Sequence, residues 1–366
     1  MASERLACGI IGLPNVGKST FFNALTSNRA AASNYPFCTI EPNIGVVEVF
    51  DPRLAPLALL SRSAKILYAT MEFVDIAGLV AGASQGEGLG NKFLSNIRET
   101  DAIVQVVRCF ASDEIVHVSG SVDPLRDIEI ISLELSLADL QMVENILTRL
   151  QKQAKSNKEL TSLIAALEKV RIHLDKNFPV RTLSLTPEEQ ELLAPYPFLT
   201  AKKMLYIANV EENDLPSMNN GYVEQLRGYA AQEKSLVIPL CAKVEEEVAQ
   251  LPAAERPAFL HAMGLEMSGL QRVISNAFDM LGLITFLTTG EMETRAWTIT
   301  RTTSAAEAAG KIHSDIQKGF IRAEVVSYAD MVACGGRAAA REMGKVRFEG
   351  RDYIVQDGDV ILFMHN

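Results

Sequence analysis

The sequence predicts an α/β protein with a mainly parallel sheet, a helical hairpin inserted into it and a small α+β domain at the end. Three observations support this prediction. Short apolar runs alternate with helical patterns, leucines recur at three- and four-residue steps between about residues 127 and 199, and short β-rich runs follow residue 281. Alternation of strand and helix is typical of a parallel sheet whose faces are covered by helices.

Six short and mostly apolar runs predict the strands of the main sheet. They are Leu6–Gly12, Gly45–Phe50, Met71–Asp75, Ala102–Cys109, Met204–Asn209 and Leu236–Leu240. The first of them leads directly into a glycine turn, which is typical of a buried strand that ends at a loop.

Two leucine-rich stripes separated by the polar residues 151–158 predict an antiparallel helical hairpin. Either the hairpin is an arm that contacts a partner, or its leucines only pack against one another. A third, short helix is predicted to begin after Thr186. This threonine suits the N-cap position, Pro187 suits the first helical position, and Glu189 can close a capping box.

Short β-rich runs and one helix, at roughly 305–316, predict a small α+β domain at the end of the chain. The runs are Trp297–Thr300, Phe320–Val326, Lys345–Phe348, Tyr353–Val355 and Val360–Phe363. We therefore divide the chain into a main α/β domain (1–128 and 200–280), a helical insertion (129–199) and a C-terminal domain (281–366).

The composition argues against several classes of protein. The 366 residues carry a formal net charge of −10, which disfavours a protein that coats nucleic acid, DNA included. No uncharged apolar stretch of about 18 residues predicts a membrane-spanning helix. The five cysteines lie far apart and form no CxxC pair. This distribution predicts a reduced, cytoplasmic protein without a zinc site.

The segment Gly12–Ser19 matches the pattern GxxxxGK[ST] and lies between a predicted strand and an apolar helical run. In such a loop, backbone N–H groups surround a phosphate, and the positive end of the following helix favours the anion. We expect Lys18 to reach the β- and γ-phosphates and Ser19 to bind Mg²⁺. The predicted nucleotide contacts of the loop are Asn15, Val16, Gly17, Lys18, Ser19 and Thr20.

A second motif, DxxG, is formed by Asp75 and Gly78 at the end of the third predicted strand. In this arrangement the carboxylate lies beside the metal ion and the glycine N–H contacts the γ-phosphate. Thr39, in the loop between the two motifs, is the predicted further ligand of Mg²⁺ when a triphosphate is bound. Its neighbour Cys38 is either a redox-sensitive thiol or an ordinary packing residue.

The segment Asn209-Val210-Glu211-Glu212 follows the fifth predicted strand, where the base of the nucleotide would be read. A guanine-reading site would have Asn-Lys-x-Asp here, with the aspartate accepting two hydrogen bonds from guanine. Val210 replaces the lysine, and the longer side chain of Glu212 cannot hold the same pair of bonds. Because a polar site rejects a base that leaves it unpaired, the sequence predicts that guanine loses much of its advantage over adenine.

These motifs resemble those of the Obg-like ATPases of the YchF branch. The resemblance covers nearly the whole chain and rests on GLPNVGKSTFFNALT, NYPFCTIEPN, DIAGLVAGASQGEGLGNKFLSNIRETD, LGLITFLTTGEMETRAWTI and YIVQDGDVILF. It implies a P-loop GTPase-like fold with a C-terminal TGS domain of the β-grasp type. It also implies a preference for ATP over GTP, a contact from the Val210 backbone to adenine, and association with the ribosome through its large subunit or as a whole.

Leu79 occupies the position at which Ras-type enzymes have a glutamine that orients the attacking water. His117 is the candidate replacement, which the resemblance supports, and the alternative is a structural loop histidine. We therefore expect slow turnover that a ribosome or another translation-related partner accelerates. The glycine-rich residues 81–90 are predicted to form a switch ordered by the γ-phosphate, or else a simple flexible loop.

Basic residues are concentrated near the end of the C-terminal domain. Five of them stand against Glu342 and Glu349, five minus two giving a local charge of +3: Arg337, Arg341, Lys345, Arg347 and Arg351. They predict either RNA contact through this domain or a solvated face of mixed charge.

The main hypothesis is a Mg²⁺-dependent nucleotide-switch ATPase in which Lys18 and His117 take part in catalysis. The alternatives are a true GTPase and an ATP-bound RNA- or ribosome-binding adaptor without significant turnover. A small-molecule kinase would need an acceptor pocket and a lid, for which the sequence contains no motif.

Overall fold

The computed structural model describes residues 6–27, 43–77, 89–112, 120–153 and 158–366. The strands within these ranges are β1 (Ala7–Ile11), β2 (Ile44–Val49), β3 (Ile66–Leu67), β4 (Ala69–Asp75), β5 (Ala102–Arg108), β6 (Lys203–Asn209), β7 (Leu236–Leu240), β8 (Leu283–Thr289), β9 (Thr294–Thr300), β10 (Phe320–Ser327), β11 (Arg347–Glu349) and β12 (Asp359–His365).

The helices of the same ranges are α1 (Lys18–Ser27), α2 (Leu54–Ser61), α3 (Leu89–Arg98), α4 (Pro124–Gln153), α5 (Lys158–Asp175), α6 (Pro187–Leu193), α7 (Gly221–Gln232), α8 (Ala242–Gln250), α9 (Arg256–Ala262), α10 (Gly269–Met280), α11 (Ala305–Ile312), α12 (Ser314–Lys318), α13 (Tyr328–Ala333) and α14 (Arg337–Glu342). Within the described ranges, none of these helices combines the length and the apolar character that crossing a bilayer requires.

The first sheet has the strand order β2-β4-β1-β5-β6-β7, and all six predicted strands are confirmed. Only β2 runs antiparallel to its neighbour, β4. The other five strands are parallel to one another. Strand β5 is buried along its whole length, as expected for a strand covered by helices on both faces. Because parallel strands end at the same edge, the loops after β1, β4, β5, β6 and β7 converge there.

The helical insertion consists of the long helix α4, its partner α5 and the short helix α6. Apolar side chains form a separate core between α4 and α5: Val143, Leu147, Leu150, Leu167, Val170 and Leu174. Leu133, which belongs to the predicted stripe on α4, instead lies 45% exposed. The predicted capping box is confirmed, because Glu189 donates its N–H to the Thr186 hydroxyl and the Glu189 carboxylate accepts from the Thr186 N–H.

Asp139, in the middle of α4, binds the residues at which the insertion ends. Its buried carboxylate accepts hydrogen bonds from the N–H groups of Leu199 (2.9 Å) and Thr200 (2.8 Å) and from the Thr200 hydroxyl (2.7 Å). Burial raises the pKa of Asp139, although these donors act in the opposite direction. The residues that lead from the insertion into β6 are therefore held against the middle of α4.

The second sheet has the strand order β11-β10-β12-β8-β9-β3 and contains two strands, β3 and β8, that the sequence patterns do not predict. β3 is only two residues long, and β8 is a mostly buried apolar run. A short apolar run buried on both faces has no periodicity that distinguishes a strand from a helix. The predicted helix at 305–316 is divided at His313, whose side chain accepts the N–H of Asp315 and so begins α12. The predicted strand Tyr353–Val355 forms only a single bridge, from Ile354 to Ser304.

The two sheets are joined by strand β3, which comes from the first half of the chain but pairs with β9 of the second sheet. A single hydrophobic core also spans both sheets. It contains Leu54 and Leu57 of α2 together with Leu287, Ala296 and Val360 of the second sheet. Apolar burial therefore fixes the C-terminal sheet against α2.

Arg53, directly before α2, forms a polar clasp across this junction. Its guanidinium group donates to Asp51 (2.8 Å), to Asp357 (2.8 Å) and to the Thr285 hydroxyl (2.9 Å). Burial alone would raise the pKa of Asp357, but hydrogen bonds from Arg53 and the Thr285 N–H outweigh it and lower that pKa. The ionised carboxylate therefore stabilises the junction, and this contribution is lost as the pH falls through the lowered pKa.

Gly358 lets the Asp357 turn approach Arg53. Its φ is +82°, and an added Cβ would lie 2.7 Å from the Arg53 guanidinium. We expect Gly358→Ala to lower the free energy of unfolding by about 2 kcal/mol or more, because left-handed strain of about 1–2 kcal/mol adds to the clash. Urea denaturation measures this effect.

Gly282→Ala is the matched control for this substitution. Gly282 has a φ of +72°, but nothing lies within 4 Å of its added Cβ, so that only the backbone strain remains. We expect Gly282→Ala to lower the free energy of unfolding by less than Gly358→Ala does. Equal decreases in the two variants would contradict a role for the Arg53 contact.

Candidate nucleotide-binding site

The loop Gly12–Ser19 connects β1 to α1 and contains two residues with left-handed backbone. Asn15 has a φ of 64° and Gly17 a φ of 91°. The side chains of Leu13 and Val16 are buried and anchor the loop. Because α1 begins at Lys18, the first N–H groups of the helix, which have no carbonyl partner within it, lie at the end of this loop.

The ammonium group of Lys18 forms an ion pair with the carboxylate of Asp75 at the end of β4. The two side chains are only 11% and 22% exposed, so the pair is partly shielded from water. This geometry brings the two predicted motifs together at one edge of the sheet. A bound phosphate group would compete with Asp75 for the same ammonium group.

The residues at this edge fit a magnesium ion. Ser19, next to Lys18, is exposed, and it and Asp75 supply a hydroxyl and a carboxylate, the oxygen ligands that Mg²⁺ prefers. Among the described residues, no group of three or more His, Cys, Asp or Glu could hold a metal.

Several predicted residues cannot be placed in this geometry. Thr39, Gly78 and His117 lie outside the described residues, as do Cys38 and most of the glycine-rich stretch that starts at residue 81. Thr20 is described and belongs to the first turn of α1.

Asn209, at the end of β6, connects three loops through its buried side-chain amide. The amide nitrogen donates to the Val16 carbonyl (2.9 Å), and the amide oxygen accepts the Ala242 N–H (3.0 Å). An added Cβ at Gly17 would overlap this amide. Gly17 is therefore required twice, by its positive φ and by the close approach of Asn209.

The segment after Asn209 presents one buried and one exposed residue. Val210 is 1% exposed, and its N–H donates to the Leu240 carbonyl (2.9 Å). The Glu212 carboxylate lies 3.5 Å from the Lys243 ammonium group, and both side chains are at least half exposed. The structure thus brings Asn209 to the phosphate loop and leaves Glu212 at the surface.

A cavity of about 360 Å³ adjoins this segment, between the ends of β5 and β6 and the start of α7. Its lining residues are Phe110, Ala111, Glu211, Asp214, Asn220, Gly221, Tyr222 and Gln225. Asn220 fixes one wall, because its amide donates to the Cys109 carbonyl and to Asp214 (both 2.9 Å) and caps α7. The cavity therefore combines two aromatic rings with carboxylate groups that accept hydrogen bonds.

Arg108 holds the Phe110 wall of this cavity and was not among the predicted site residues. Its side chain is 1% exposed, its Nε donates to the Phe110 carbonyl (3.1 Å), and its guanidinium carbon lies 4.7 Å from the Phe110 ring centre. Burial lowers the pKa of Arg108, against the opposing charge of Asp127. An arginine at the end of a mostly apolar strand is the sequence signal that could have identified it.

Two family models match the chain. Residues 7–169 match a model described as "50S ribosome-binding GTPase". Residues 283–366 match YchF-GTPase_C, described as "Protein of unknown function (DUF933)".

Three relatives are similar over nearly the full chain. The "Ribosome-binding ATPase YchF" of Haemophilus influenzae is 53% identical over 98% of this chain and 99% of the relative. The protein of the same name from Bacillus subtilis is 51% identical over 99% of both. The solved structure of the Schizosaccharomyces pombe YchF GTPase is 35% identical and covers 100% of this chain and 99% of its own, with a TM-score of 0.90.

We expect Asn209→Asp to weaken nucleotide binding by roughly 5- to 150-fold, which corresponds to about 1–3 kcal/mol for an unsatisfied buried group. A carboxylate can still accept the Ala242 N–H, but it turns an acceptor toward the Val16 carbonyl and displaces the phosphate loop. Calorimetric titration with ATP and Mg²⁺ measures the dissociation constant.

The control is Asn276→Asp on α10, where the amide donates to the Arg272 carbonyl (2.7 Å) within a helix. Unchanged affinity in the control and weakened affinity in Asn209→Asp support the role of the loop connection. Equal affinities in both variants would contradict it.

Proposed function

The chain belongs to the YchF family, and on that basis we propose that it is a ribosome-associated, magnesium-dependent ATPase that hydrolyses ATP to ADP and phosphate. The observation that carries this proposal is the Lys18–Asp75 pair at the end of the GxxxxGK[ST] loop. A cation, a carboxylate and the start of a helix meet there. Binding of a nucleoside triphosphate with Mg²⁺ requires these groups. The name "Ribosome-binding ATPase YchF" of two relatives supports the ribosome as the partner.

Different residues of this site bind the phosphates and the Mg²⁺ ion. Lys18 neutralises the β- and γ-phosphates, and the backbone of the loop, with Asn15, Val16, Gly17, Ser19 and Thr20, surrounds them. Gly78 contributes an N–H to the γ-phosphate. Ser19 and Thr39 would supply hydroxyl ligands to Mg²⁺, and Asp75 would supply a carboxylate for it. The ion supplies charge neutralisation for the phosphate oxygens when it is bound.

Selection of ATP over GTP rests on the residues after β6 and is our inference from their chemistry. The names of the relatives differ on this point, since two are called ATPases and one a GTPase. The Val210 carbonyl can accept a hydrogen bond from the adenine amino group. The longer side chain of Glu212 does not place its carboxylate where a guanine-reading aspartate would. The cavity beside Phe110 and Tyr222 is the proposed place of the base.

Turnover is expected to be slow in the isolated chain. Leu79 cannot orient water, and His117 is the proposed residue that does so. A ribosome or another translation-related partner would then accelerate hydrolysis by completing the site. The helical insertion (129–199) and the C-terminal TGS domain (281–366) are the proposed appendages of a nucleotide-binding domain formed by 1–128 and 200–280, and the cytoplasm is the proposed location.

We expect ATP to bind at least tenfold more tightly than GTP, a difference of about 1.4 kcal/mol. Calorimetric titration of the purified chain with each nucleotide and Mg²⁺ measures this ratio. Glu212→Asp should reduce the preference for ATP over GTP, because the shorter side chain restores the carboxylate position that accepts hydrogen bonds from guanine. Lys18→Ala should abolish binding of both nucleotides, whereas Lys152→Ala at the end of α4 should leave it unchanged.

Phosphate release with and without ribosomes distinguishes the remaining alternatives. Stimulation by ribosomes that is lost in Lys18→Ala supports the switch ATPase. Tighter binding of GTP would indicate an ordinary GTPase, and ATP binding without accelerated hydrolysis would indicate an adaptor.

The C-terminal domain has a sheet face suited to RNA. Phe348 on the edge strand β11 is 52% exposed, and the Arg322 guanidinium carbon lies 4.5 Å from its ring centre. Leu362, 48% exposed, pairs with the same β10 residue as Phe348 and so lies on the same face. An exposed aromatic ring beside an arginine is a typical surface for stacking the bases of single-stranded RNA.

The rim of this face is basic, although its cations also contact carboxylates. Arg341 pairs with the buried Glu324 (2.6 Å), Lys345 with Asp330 (3.2 Å), and Arg347 with Glu349 (3.4 Å) and Asp359 (3.3 Å). These basic side chains are still 58%, 52% and 48% exposed. Trp297 does not belong to this face, because its ring stacks on Phe286 (6.2 Å between ring centres).

We expect Phe348→Ala to weaken RNA binding by about 5- to 150-fold, the effect of losing one stacked base. Fluorescence anisotropy with a labelled 12-nucleotide RNA at low salt measures it on the full chain. Phe178→Ala, at a ring that is 54% exposed on the helical insertion, is the control and should bind normally. Absence of RNA binding by the unmodified chain would show that this face is only a solvated surface.

A further inference from the structure

The segment 43–77 has both of its ends at the nucleotide site. It begins beside β2 and ends after β4, and Asp75 donates its N–H to the Asn43 carbonyl (2.8 Å). Asp75 also pairs with Lys18. Any change in the position of Asp75 therefore acts on the end of β4 and, through Asn43, on the start of β2.

The two strands of this segment form a stiff connection. β2 and β4 pair antiparallel over six residue pairs, from Ile44–Val74 near the nucleotide site to Val49–Ala69 at the far end. At about 3.3 Å per residue this ladder is about 20 Å long. On its other side β4 pairs with β1, so that the ladder is hydrogen-bonded to the rest of the first sheet.

The far end of the segment carries the C-terminal domain. Arg53 binds Asp357 and Thr285, and β3 pairs with β9. Leu54 and Leu57 of α2 share a core with that domain. Within the described residues, the segment between the two nucleotide motifs is thus both a wall of the nucleotide site and the platform on which the C-terminal domain rests.

Hydroxyl groups add a second polar contact at this platform. The Thr289 hydroxyl lies 2.8 Å from that of Ser61 and 2.6 Å from that of Thr294, and the Ser63 hydroxyl lies 2.7 Å from that of Thr294. Ser63 also donates to the Gly290 carbonyl (2.7 Å). Such directional bonds hold the turn between β8 and β9 against the end of α2 and fix a defined register between them.

We propose that the segment 43–77 couples occupancy of the nucleotide site to the placement of the C-terminal domain. The proposal rests on the nucleotide site proposed above. A triphosphate competes with Asp75 for the Lys18 ammonium group, and this competition gives the ligand a differential interaction with the end of β4. The β2–β4 ladder carries the resulting change to Arg53 and β3. Nucleotide binding therefore alters the contacts of β8, β9 and the Asp357 turn.

Coupling of this kind is reciprocal, so that weakening the platform must alter nucleotide affinity. We expect Arg53→Ala to change the dissociation constant for ATP by at least fivefold, the lower end of typical coupling between sites. Arg53 lies at the far end of the ladder, and its guanidinium group donates to Asp51, Thr285 and Asp357, none of which belongs to the phosphate loop. Direct loss of a nucleotide contact cannot explain such a change.

Hydrogen exchange with mass spectrometry tests the coupling directly on the full chain. The exchange of peptides covering β8, β9 and residues 353–359 is compared without nucleotide, with ADP and with a non-hydrolysable ATP analogue plus Mg²⁺. Calorimetry on the same samples establishes saturation. In the unmodified chain we expect nucleotide-dependent protection in these peptides.

The variants separate coupling from general loosening. Arg53→Ala and the milder Asp357→Asn should remove the nucleotide-dependent difference while nucleotide still binds. Arg181→Ala is the control, because it removes a more deeply buried ion pair, Arg181–Glu233 (2.5 Å), that joins the helical insertion to the end of α7 and does not touch the C-terminal domain. It should leave the nucleotide-dependent difference in β8 and β9 intact.

Each outcome has a definite meaning. Saturating nucleotide without altered exchange in β8, β9 or 353–359 overturns the coupling and leaves the proposed ATPase standing. An undiminished difference in both Arg53→Ala and Asp357→Asn also overturns it. Absence of nucleotide binding by the unmodified chain removes the proposed function and the coupling together.

Discussion

A single buried amide, that of Asn209, holds together the loops on which the nucleotide site depends. It donates to the phosphate loop at Val16 and accepts from the start of α8 at Ala242. Its backbone carbonyl accepts the Cys109 N–H (2.8 Å), which adds the loop after β5. An amide is one of the few side chains that donates and accepts at fixed positions on one planar group. The close approach of this amide is also why position 17 tolerates only glycine.

The same edge of the sheet gains its chemical character from the ends of parallel strands. β1 and β4 bring Lys18 and Asp75 together, and β5 and β6 bring the Phe110 cavity beside Asn209. Because the strands are parallel, their carboxyl ends meet without any long loop having to fold inward. Strand order thus sets the phosphate side of the site and the proposed base side, and the proposed selection between bases rests on a few side chains after β6.

The C-terminal domain is bound to the rest of the chain by three kinds of interaction. These are a shared strand pairing of β3 with β9, a shared apolar core, and the Arg53 clasp. Such a junction differs from the polar, loosely packed interfaces at which domains commonly move. A boundary in the sequence pattern near residue 281 is therefore not a boundary in packing, and movement of this domain has to involve α2 and β3.

The sequence by itself determined the six strands of the first sheet, the helical insertion with its Thr186 capping box, and the phosphate loop. Each of these depends on residues that are adjacent in the chain, so that periodicity, capping and glycine spacing suffice to identify them. The tertiary structure alone decided that Asn209 braces the loop, that Arg108 supports the cavity, that β3 joins the second sheet, and that Arg53 binds Asp357 across 304 positions. These contacts join residues that are distant in sequence and specify no local conformation, and only the packed fold brings them within hydrogen-bonding distance.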